Sequence, residues 1–392
     1  MKLSRRVTET QPYLFHLIDE KRKAAQERGV DVISLAIGDP DMPTPNFVLD
    51  LMNEEMRAPR NHQYPSYKGE PDFCELVANW FEKRFGVKLD AQNEIMATIG
   101  AKDAVSHLPF VFIDPGDSAL VTDPGYPVYE AAIGFAGGRP VRVPLVEEKG
   151  FLPDLSAIPA DVAGTAKFIF VNYPNNPTAA VADISFFEEL VSFAKKYDLV
   201  ILSDNAYSEV YFEPEDKPIS IMQILGAKDL SIEIHSFSKT FNMTGWRIGF
   251  VVGSKDLIQA VLTLKSNFDS GVFMAIQRAA ARALNHPDAP LFNRDRTQLF
   301  KNRRNIIAKA LEELGFKFNL PRASYYFWVR IPEVYSSSVV FCADLLERQG
   351  LVVTPGVGYG PSGEAFFRIS MTSSDDKIET GMERLKNFVK GL

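Results

Sequence analysis

Residues 168–207 read FIFVNYPNNPTAAVADISFFEELVSFAKKYDLVILSDNAY, and this stretch decides the fold. It contains two short apolar runs, 168–172 and 199–204, and each of them predicts a buried strand. Between the runs, apolar residues recur at the spacing of one helix face: Ile184, Phe187, Leu190, Val191 and Ala194. Asp183 is the predicted N-cap of this helix. A strand, a helix and a second strand in this order predict a crossover connection between two parallel strands.

The same alternation continues on both sides of this stretch. Further short apolar runs predict strands at 119–123, 141–145, 232–236 and 248–252. Strands separated by helical stretches indicate an α/β fold with a large, mainly parallel sheet and helices on both faces.

From about residue 288 the pattern changes, which indicates a second, smaller α+β unit. Its predicted elements are a long charged helix to about 314, a strand over 325–331, a helix over 337–348, a strand over 366–370 and a helix over 375–389. We therefore predict a large cofactor-binding domain over 44–289. The small domain is predicted to combine an N-terminal arm, 1–43, with the C-terminal unit, 290–392.

The composition is that of a packed, enzyme-sized chain. Of 392 residues, 46% are hydrophobic, and 43 basic against 50 acidic side chains give a net charge of −7. An acidic balance disfavours a nucleic-acid partner. No run approaches the roughly 18 apolar residues of a membrane helix, and the charged first thirty residues lack the apolar core of a signal peptide. The chain has only two cysteines, Cys74 and Cys342, which favours a reducing compartment. Taken with the charge and the short apolar runs, this predicts a cytoplasmic protein without membrane or nucleic-acid partners.

Three polar segments follow three predicted strands, at the point where each strand ends. They are 172–178, 203–207 and 236–240. In doubly wound sheets, ligands bind at the carboxyl ends of the strands. We therefore expect these segments to lie together and to form the functional site.

Lys239 follows a buried strand and has aromatic residues close to it in the sequence, including Phe237 and Phe241. A buried ammonium group is unfavourable unless it is paired or neutralised. A Schiff base to a carbonyl cofactor would remove that charge. Phosphate-binding groups for such a cofactor stand nearby in the sequence: Ser236, Ser238 and Arg247.

Asp204 ends the strand that neighbours the lysine segment. A carboxylate at a strand end is often only a turn residue. Its functional interpretation is the partner of the pyridinium nitrogen of pyridoxal phosphate, which needs such a charge to act as an electron sink. Tyr207 and Asn176 are then candidate donors to the phenolic oxygen of the ring.

The joint motif of Asn176-Pro-Thr178, Asp204-x-x-Tyr207, Ser-x-Ser-Lys239 and Arg247 resembles the class I/II aminotransferases, fold-type I pyridoxal-phosphate enzymes. The resemblance covers nearly the whole chain. It implies that Lys239 carries the cofactor as a Schiff base, that Asp204 faces the pyridinium nitrogen and that Asn176 and Tyr207 bind the ring oxygen. Arg247 is implied as a phosphate ligand.

The resemblance implies further site residues. Phosphate would meet the helix that opens at Gly100, with Ala101 and Lys102 in its first turn. Tyr126 would stack on the cofactor, and Arg368 would bind the substrate α-carboxylate through its planar fork. The remaining implied contacts are Gly38 with the substrate and Tyr64, which would reach the cofactor phosphate of a partner subunit in a homodimer.

Four stretches, 12–15, 29–41, 61–67 and 266–271, resemble the LL-diaminopimelate aminotransferase subgroup. This resemblance implies ping-pong transfer of an amino group from LL-2,6-diaminopimelate to 2-oxoglutarate, in lysine biosynthesis. Lys102, Asn267 and Asp269 are the candidate contacts of the distal end of the substrate. The chain departs from the common pattern at Ala101, where serine is frequent, and at Ala179, where glycine is usual.

Two other functions remain open at this stage. The same scaffold serves aminotransferases for alanine, aspartate or methionine, and C–S lyases that catalyse β-elimination. Aminotransferase-like domains also occur in transcription regulators, but these need an N-terminal helix-turn-helix of about 60 residues. Only about thirty residues precede the first predicted strand here, which disfavours a regulator.

Two patterns in the sequence resemble functional motifs but indicate none. The segment 358–363 satisfies G-x-G-x-x-G, but it contains Pro361 and opens no predicted helix, so we interpret it as a loop on the substrate side. The five histidines share no metal-ligand spacing, and we predict no metal site.

Overall fold

The computed structural model describes residues 2–8, 10 and 13–392, and the side chain of Phe15 is not described. The helices are α1 (Arg5–Thr8), α2 (Leu14–Glu27), α3 (Asn46–Met56), α4 (Pro71–Phe85), α5 (Ala101–Phe112), α6 (Val128–Ala136), α7 (Ala160–Ala163), α8 (Ile184–Tyr197), α9 (Phe237–Thr240), α10 (Lys255–Phe268), α11 (Met274–Leu284), α12 (Ala289–Glu313), α13 (Ser338–Gln349) and α14 (Asp375–Lys390). The strands are β1 (Ile33–Ser34), β2 (Ile95–Thr98), β3 (Ser118–Asp123), β4 (Arg139–Pro144), β5 (Ala166–Asn172), β6 (Val200–Asp204), β7 (Ser231–Ser236), β8 (Gly249–Gly253), β9 (Tyr326–Arg330), β10 (Leu351–Val352), β11 (Thr354–Pro355) and β12 (Phe366–Ser370).

Seven strands form the large sheet, in the order β2-β8-β7-β6-β5-β3-β4. The pairs from β4 to β7 are parallel, whereas β8 runs antiparallel to both of its neighbours, β7 and β2. The predicted fold class, a mainly parallel sheet in an α/β protein, is therefore confirmed. All six strands predicted for this sheet are present, and the reversed direction of β8 was not predicted.

Alternating side chains along the central strands enter two separate hydrophobic clusters. Ile169 and Val171 of β5 belong to one cluster, whereas Phe168 and Phe170 belong to the other. Four residues of the predicted apolar face of α8, from Phe187 to Ala194, pack into the first cluster, whereas Ile184 is exposed and Phe186 is buried in its place. The helix begins as predicted, because the Asp183 carboxylate accepts a hydrogen bond from the Phe186 N–H at 2.9 Å. Helices therefore cover both faces of the sheet, which leaves the strand ends as the place for a ligand.

A smaller unit follows α11. It contains the antiparallel sheet β11-β12-β9 and the helices α12 to α14, which share a third hydrophobic cluster. The N-terminal segment joins this unit, since β1 pairs in parallel with β10 through Ile33 opposite Leu351. The boundaries at 44 and 290 remain a prediction.

Within the residues that the structure describes, no helix combines the length and the apolar character needed to cross a membrane.

The carboxyl ends of β5, β6 and β7 lie side by side. Asn172 stands opposite Asp204, and Asp204 stands opposite Ile234. The Asn172 side-chain amide donates to the Asp204 carbonyl at 2.8 Å and thereby links the ends of β5 and β6. The three polar segments expected at one edge of the sheet therefore start from neighbouring strands.

Candidate active site

Lys239 lies on the short helix α9, which begins directly after β7. Ser236 caps this helix, with its hydroxyl accepting the Ser238 N–H at 3.2 Å. The Lys239 Nζ donates to the Gly38 carbonyl at 2.6 Å. Burial lowers the pKa of Lys239 below its ordinary value of 10.5. A lysine of this kind is a nucleophilic amine at milder pH than a surface lysine.

Asp204, the last residue of β6, is buried and holds two hydrogen bonds. Its Oδ2 accepts from the Tyr129 hydroxyl at 2.8 Å, and its Oδ1 accepts from the Ala206 N–H at 3.1 Å. Burial raises the pKa of Asp204, and the hydrogen bond from Tyr129 opposes that rise. A cation placed against this carboxylate would be strongly stabilised, because neither group would be fully hydrated.

Arg368 lies on β12 and is fully buried. Its Nη1 donates to the Asn176 Oδ1 at 2.7 Å, and its Nη2 donates to the Ala36 carbonyl. The guanidinium carbon lies 4.0 Å from the ring centre of Tyr326 and 5.0 Å from that of Tyr359. Two predicted substrate contacts, Arg368 and Asn176, are therefore adjacent.

Tyr207 is buried near both of these groups. Its hydroxyl lies 2.7 Å from the hydroxyl of Tyr326, and burial raises its pKa well above 10. The charges of Arg368 and Asp204 also act on this hydroxyl. Tyr207 therefore lies close to both the carboxylate and the guanidinium of the predicted site.

An anion-binding corner lies at the start of α5. Gly100 has φ 78°, and a Cβ added there would collide with the Arg247 guanidinium. The first N–H groups of a helix have no acceptor within it, and no side chain caps α5 at Gly100, so those of Ala101 and Lys102 need a partner from outside the helix. The charge of Arg247 also reaches Lys239, where it contributes to the lowered pKa. Arginine and a helix N-terminus together form a site of the type that binds phosphate.

Tyr126 and Tyr13 form an aromatic edge of the site. Tyr126 packs edge-on against Tyr129, with ring centres 5.6 Å apart, and its hydroxyl lies 3.3 Å from that of Tyr13. The Lys102 ammonium lies 4.2 Å from the ring centre of Tyr13. The N-terminal segment thus reaches the helix that carries the anion-binding corner. Pro12, in the quoted 12–15 stretch, lies outside the described residues.

These residues fit pyridoxal phosphate, the cofactor that the sequence resemblance implies. A Schiff base needs an amine with a lowered pKa, the pyridinium needs a buried carboxylate and the phosphate needs cationic and N–H donors. The structure supplies the first at Lys239, the second at Asp204 and the third at Arg247 and α5. The predicted roles of these residues nevertheless stay proposals.

Of three further predicted contacts, Tyr64 and Asn267 are exposed and Asp269 is partly buried. Tyr64 is 89% exposed, as expected of a side chain that would act on a partner subunit. Asn267 is exposed at the end of α10, where its amide donates to the Thr263 carbonyl of the same helix at 2.9 Å. Asp269 accepts from the Lys265 ammonium at 2.6 Å.

Asp269 also belongs to a group of three possible metal ligands in the described part of the chain, with Asp103 and His107. The Lys265 ammonium lies within this group, 2.6 Å from Asp269 and 3.6 Å from Asp103. The group therefore already contains a cation of its own. Its charges pair α5 with α10.

The backbone of Ala179 adopts φ 60°, the left-handed region in which glycine is favoured. Alanine costs about 1 kcal/mol more than glycine in this conformation. The departure noted in the sequence is therefore a source of strain beside Asn176.

The glycine-rich segment 358–363 forms two short 3₁₀ turns and no α-helix. Its Ser362 hydroxyl donates to the Asp123 carboxylate at 3.0 Å, and its Tyr359 carbonyl accepts the Gly125 N–H at 2.8 Å. The segment thus joins the small unit to the loop that carries Tyr126.

Sequence reasoning missed three tyrosines at this site. Tyr129 binds Asp204, Tyr326 contacts Tyr207 and Arg368, and Tyr13 contacts Tyr126 and Lys102. A signal existed for Tyr129, which stands three residues after Tyr126 at the start of a helix. A signal also existed for Tyr326, because it stands in the predicted strand 325–331 of the unit that carries Arg368.

Comparison with known proteins gives a consistent result. The family model "Aminotransferase class I and II" matches residues 30–385. The LL-diaminopimelate aminotransferase of Nitratidesulfovibrio vulgaris (Miyazaki F) is 47% identical over 99% of this chain and 99% of its own. Substrate-bound BacF from Bacillus subtilis superposes with a TM-score of 0.94 at 35% identity, covering 99% of this chain and 98% of its own. Aspartate aminotransferase from Thermus thermophilus with maleate superposes with a TM-score of 0.91 at 29% identity, covering 100% of both chains.

Proposed function

The chain belongs to the class I and II aminotransferases, pyridoxal-phosphate enzymes, and from this premise we propose that it transfers an amino group from LL-2,6-diaminopimelate to 2-oxoglutarate. The products are glutamate and a 2-oxo acid that loses water as it cyclises to tetrahydrodipicolinate, in lysine biosynthesis. The observation that carries the proposal is that Asn176, Asp204 and Lys239 stand at or just after the ends of three neighbouring strands, with the Arg368 guanidinium bound to Asn176 and its charge acting on Lys239. The choice of donor is supported by the 47% identity to an LL-diaminopimelate aminotransferase.

Pyridoxal phosphate, when bound, supplies a carbonyl that condenses with amines and a ring that accepts the electrons of the Cα–H bond. Lys239 is the residue that would hold it covalently between turnovers. When the substrate amine displaces it, the Lys239 amine is free to take the proton from the substrate Cα and to return it. Burial favours the neutral amine, which is the form that takes up a proton.

Asp204 would pair with the ring nitrogen and favour its protonated form, because a close cation stabilises the buried carboxylate. Tyr129 orients this carboxylate and stabilises its ionised form through the 2.8 Å hydrogen bond. Tyr207 and Asn176 would bind the ring oxygen, and Arg247, Ser236, Ser238 and the start of α5 would bind the phosphate. Tyr126 would pack on the ring.

Arg368 binds the α-carboxylate of each substrate in turn, and Asn176 orients the guanidinium at 2.7 Å. The backbone at Gly38 lies beside the reacting amine, since its carbonyl accepts a hydrogen bond from the Lys239 amine. For the distal carboxylate of diaminopimelate we propose Lys102, and for its distal ammonium we propose the side-chain oxygen of Asn267.

The homodimer is also a proposal. It is supported by Tyr64, an aromatic side chain that is 89% exposed and stands in a stretch typical of the subgroup. Two free cysteines, Cys74 and Cys342, are both buried and unpaired, which supports a reducing cytoplasmic location.

An amino-donor panel with 2-oxoglutarate as the acceptor tests the function. Holoenzyme is assayed for glutamate with LL-diaminopimelate, meso-diaminopimelate, aspartate, alanine and methionine. We expect the highest kcat/KM with LL-diaminopimelate. Lys239→Ala is the inactive control, and Arg368→Lys should raise KM for every donor, since lysine cannot form the bidentate fork. Turnover of neutral amino acids with none of LL-diaminopimelate would contradict the proposal.

The second candidate is an aspartate aminotransferase, favoured by the TM-score of 0.91 to the Thermus enzyme over the full chain. In the same panel it predicts the highest kcat/KM with aspartate. A C–S lyase would instead release ammonia and a 2-oxo acid from a sulfur amino acid without any acceptor, so the assay includes a reaction with cystathionine alone.

A further inference from the structure

Tyr326 has no assigned role in the reaction, yet it contacts several groups of the site. The residue is buried at the start of β9, and its hydroxyl lies 2.7 Å from the Tyr207 hydroxyl. Each hydroxyl carries one proton, so one tyrosine donates and the other accepts. A pair of this kind has two possible directions, and the surrounding groups select one of them.

The proposed role of Tyr207 selects the direction. If Tyr207 donates its only proton to the ring oxygen of the cofactor, its own oxygen is left as the acceptor of the 2.7 Å bond. Tyr326 must then be the donor. A hydrogen bond received by Tyr207 polarises its O–H bond and strengthens the next bond in the chain.

The ring of Tyr326 has a second contact. The Arg368 guanidinium carbon lies 4.0 Å from its centre, which is within the range of a cation–π interaction. Asn176 and the Ala36 carbonyl hold two nitrogens of the guanidinium, and Tyr326 supports its face. The plane of the guanidinium is thereby fixed before a carboxylate arrives.

Gly38 completes the set of contacts. A Cβ at this position would overlap the Tyr326 hydroxyl, so the 38 position must remain glycine for the two to pack. The Gly38 carbonyl accepts a hydrogen bond from the Lys239 amine at 2.6 Å. Tyr326 therefore lies against the backbone that holds the reactive amine.

We propose that Tyr326 is a positioning residue of the aminotransferase site. Its hydroxyl donates to Tyr207 and so directs the Tyr207 proton toward the ring oxygen of the cofactor, and its ring packs on Arg368 and fixes the plane of the guanidinium. This inference rests on the proposed function, because it takes the roles of Tyr207 and Arg368 from it. It assigns two separable tasks to one side chain. The hydroxyl acts toward the cofactor, and the ring acts toward the substrate carboxylate.

Tyr326→Phe removes the hydroxyl and keeps the ring, so the variant should fold as the parent does. A hydrogen bond from Tyr207 withdraws charge from the ring oxygen, which neighbours the nitrogen that links Lys239 to the cofactor. Without the Tyr326 hydroxyl, this hydrogen bond from Tyr207 is weaker. The pH midpoint of the visible cofactor absorbance should therefore rise by about 0.5 to 1 pH unit. Affinity for maleate, an unreactive dicarboxylate, should stay unchanged.

Tyr326→Leu removes the ring as well. Loss of the cation–π support should raise the dissociation constant of maleate about tenfold. The matched control is Tyr335→Phe, which removes a hydroxyl that donates to Asp344 at 2.9 Å in the same hydrophobic cluster of the small unit. This control should leave both the midpoint and the maleate affinity at the parent values.

An unchanged midpoint in Tyr326→Phe overturns the hydroxyl task, and it does so whether or not Tyr326→Leu folds. An unchanged maleate affinity in a folded Tyr326→Leu overturns the ring task. Equal shifts in Tyr335→Phe would overturn both, since its hydroxyl is bonded to Asp344 and not to Tyr207. Failure of the proposed function has a different signature, namely a parent protein without visible cofactor absorbance or without transamination of any donor.

Discussion

At the scale of single residues, burial acts on the two central groups in opposite directions. It lowers the pKa of the Lys239 ammonium and raises the pKa of the Asp204 carboxyl, so that it favours the neutral form of each. A protonated ring nitrogen beside Asp204 reverses the second effect, because a close cation stabilises the carboxylate. The site thus shifts Lys239 toward its neutral amine, and it favours an ionised Asp204 carboxylate when a cationic ring is bound.

The lowered pKa of Lys239 predicts how cofactor attachment depends on pH. The uncharged amine attacks the carbonyl, and its fraction rises with pH up to the pKa of the group. The attachment rate of pyridoxal phosphate to apoprotein, followed by absorbance, should therefore reach half its maximum below pH 10.5. Nα-acetyl-lysine is the reference amine. A midpoint at or above that of the reference would contradict the prediction.

The hydrogen bond between Tyr129 and Asp204 gives a second prediction. Tyr129→Phe removes the bond that opposes the raised pKa of Asp204, so the carboxylate becomes harder to ionise. Hydrogen bonds to charged groups contribute about 1.5–3 kcal/mol, and we expect cofactor affinity to fall at least about tenfold. Equilibrium titration with pyridoxal phosphate measures this.

The matched control is Tyr173→Phe, because Tyr173 is equally buried and its hydroxyl donates to the Phe151 carbonyl at 2.8 Å. Its cofactor affinity should equal that of the parent. Equal affinity in Tyr129→Phe and the parent would show that the carboxylate does not depend on this bond.

At the scale of elements, the start of α5 should be the part of the phosphate site least tolerant of added atoms. Gly100→Ala would place a methyl group against the Arg247 guanidinium and strain a backbone at φ 78°. We expect weakened binding of pyridoxal phosphate, with a smaller effect on binding of pyridoxal, which lacks the phosphate.

Gly134→Ala is the control for this substitution. Gly134 lies inside α6 with no atom within 4 Å of the added Cβ, so alanine should raise the free energy of unfolding by about 0.5–1 kcal/mol. Chemical denaturation measures that change. Equal cofactor binding in Gly100→Ala and Gly134→Ala would contradict the assigned phosphate site.

At this scale, part of the fold and part of the site could be predicted from the sequence. The strand ends were predictable, because short apolar runs that end in polar residues show where parallel strands stop. Tyr326 and Tyr129 were not predicted as site residues, since their contacts depend on how β9 and α6 pack in three dimensions. The direction of β8 was also not predicted, because residues 248–252 are apolar in a way that fits either direction.

At the scale of the whole molecule, the proposed dimer makes a prediction that no single chain satisfies. If Tyr64 acts on the site of a partner subunit, a mixed dimer of Lys239→Ala and Tyr64→Ala chains contains one intact site. Each variant alone should have little activity. After statistical subunit exchange, the mixture should regain up to about a quarter of the parent activity, since half the dimers are mixed and each has one intact site.

The assay for this complementation is glutamate formation before and after exchange. Tyr335→Phe mixed with Lys239→Ala is the control, in which activity should only reflect the amount of the intact-site chain. A mixture of Lys239→Ala and Tyr64→Ala that stays inactive, although sedimentation shows mixed dimers, would assign Tyr64 to its own subunit or to no site.

The central claim is that Lys239 carries the cofactor at the edge of the large sheet. Borohydride reduction of the holoenzyme converts the link between lysine and cofactor into a stable amine, and peptide mapping by mass spectrometry then locates it. We predict the label on the peptide containing Lys239 and on no other lysine. A label on Lys102 or any other lysine, or no label on a protein that transaminates, would contradict the account.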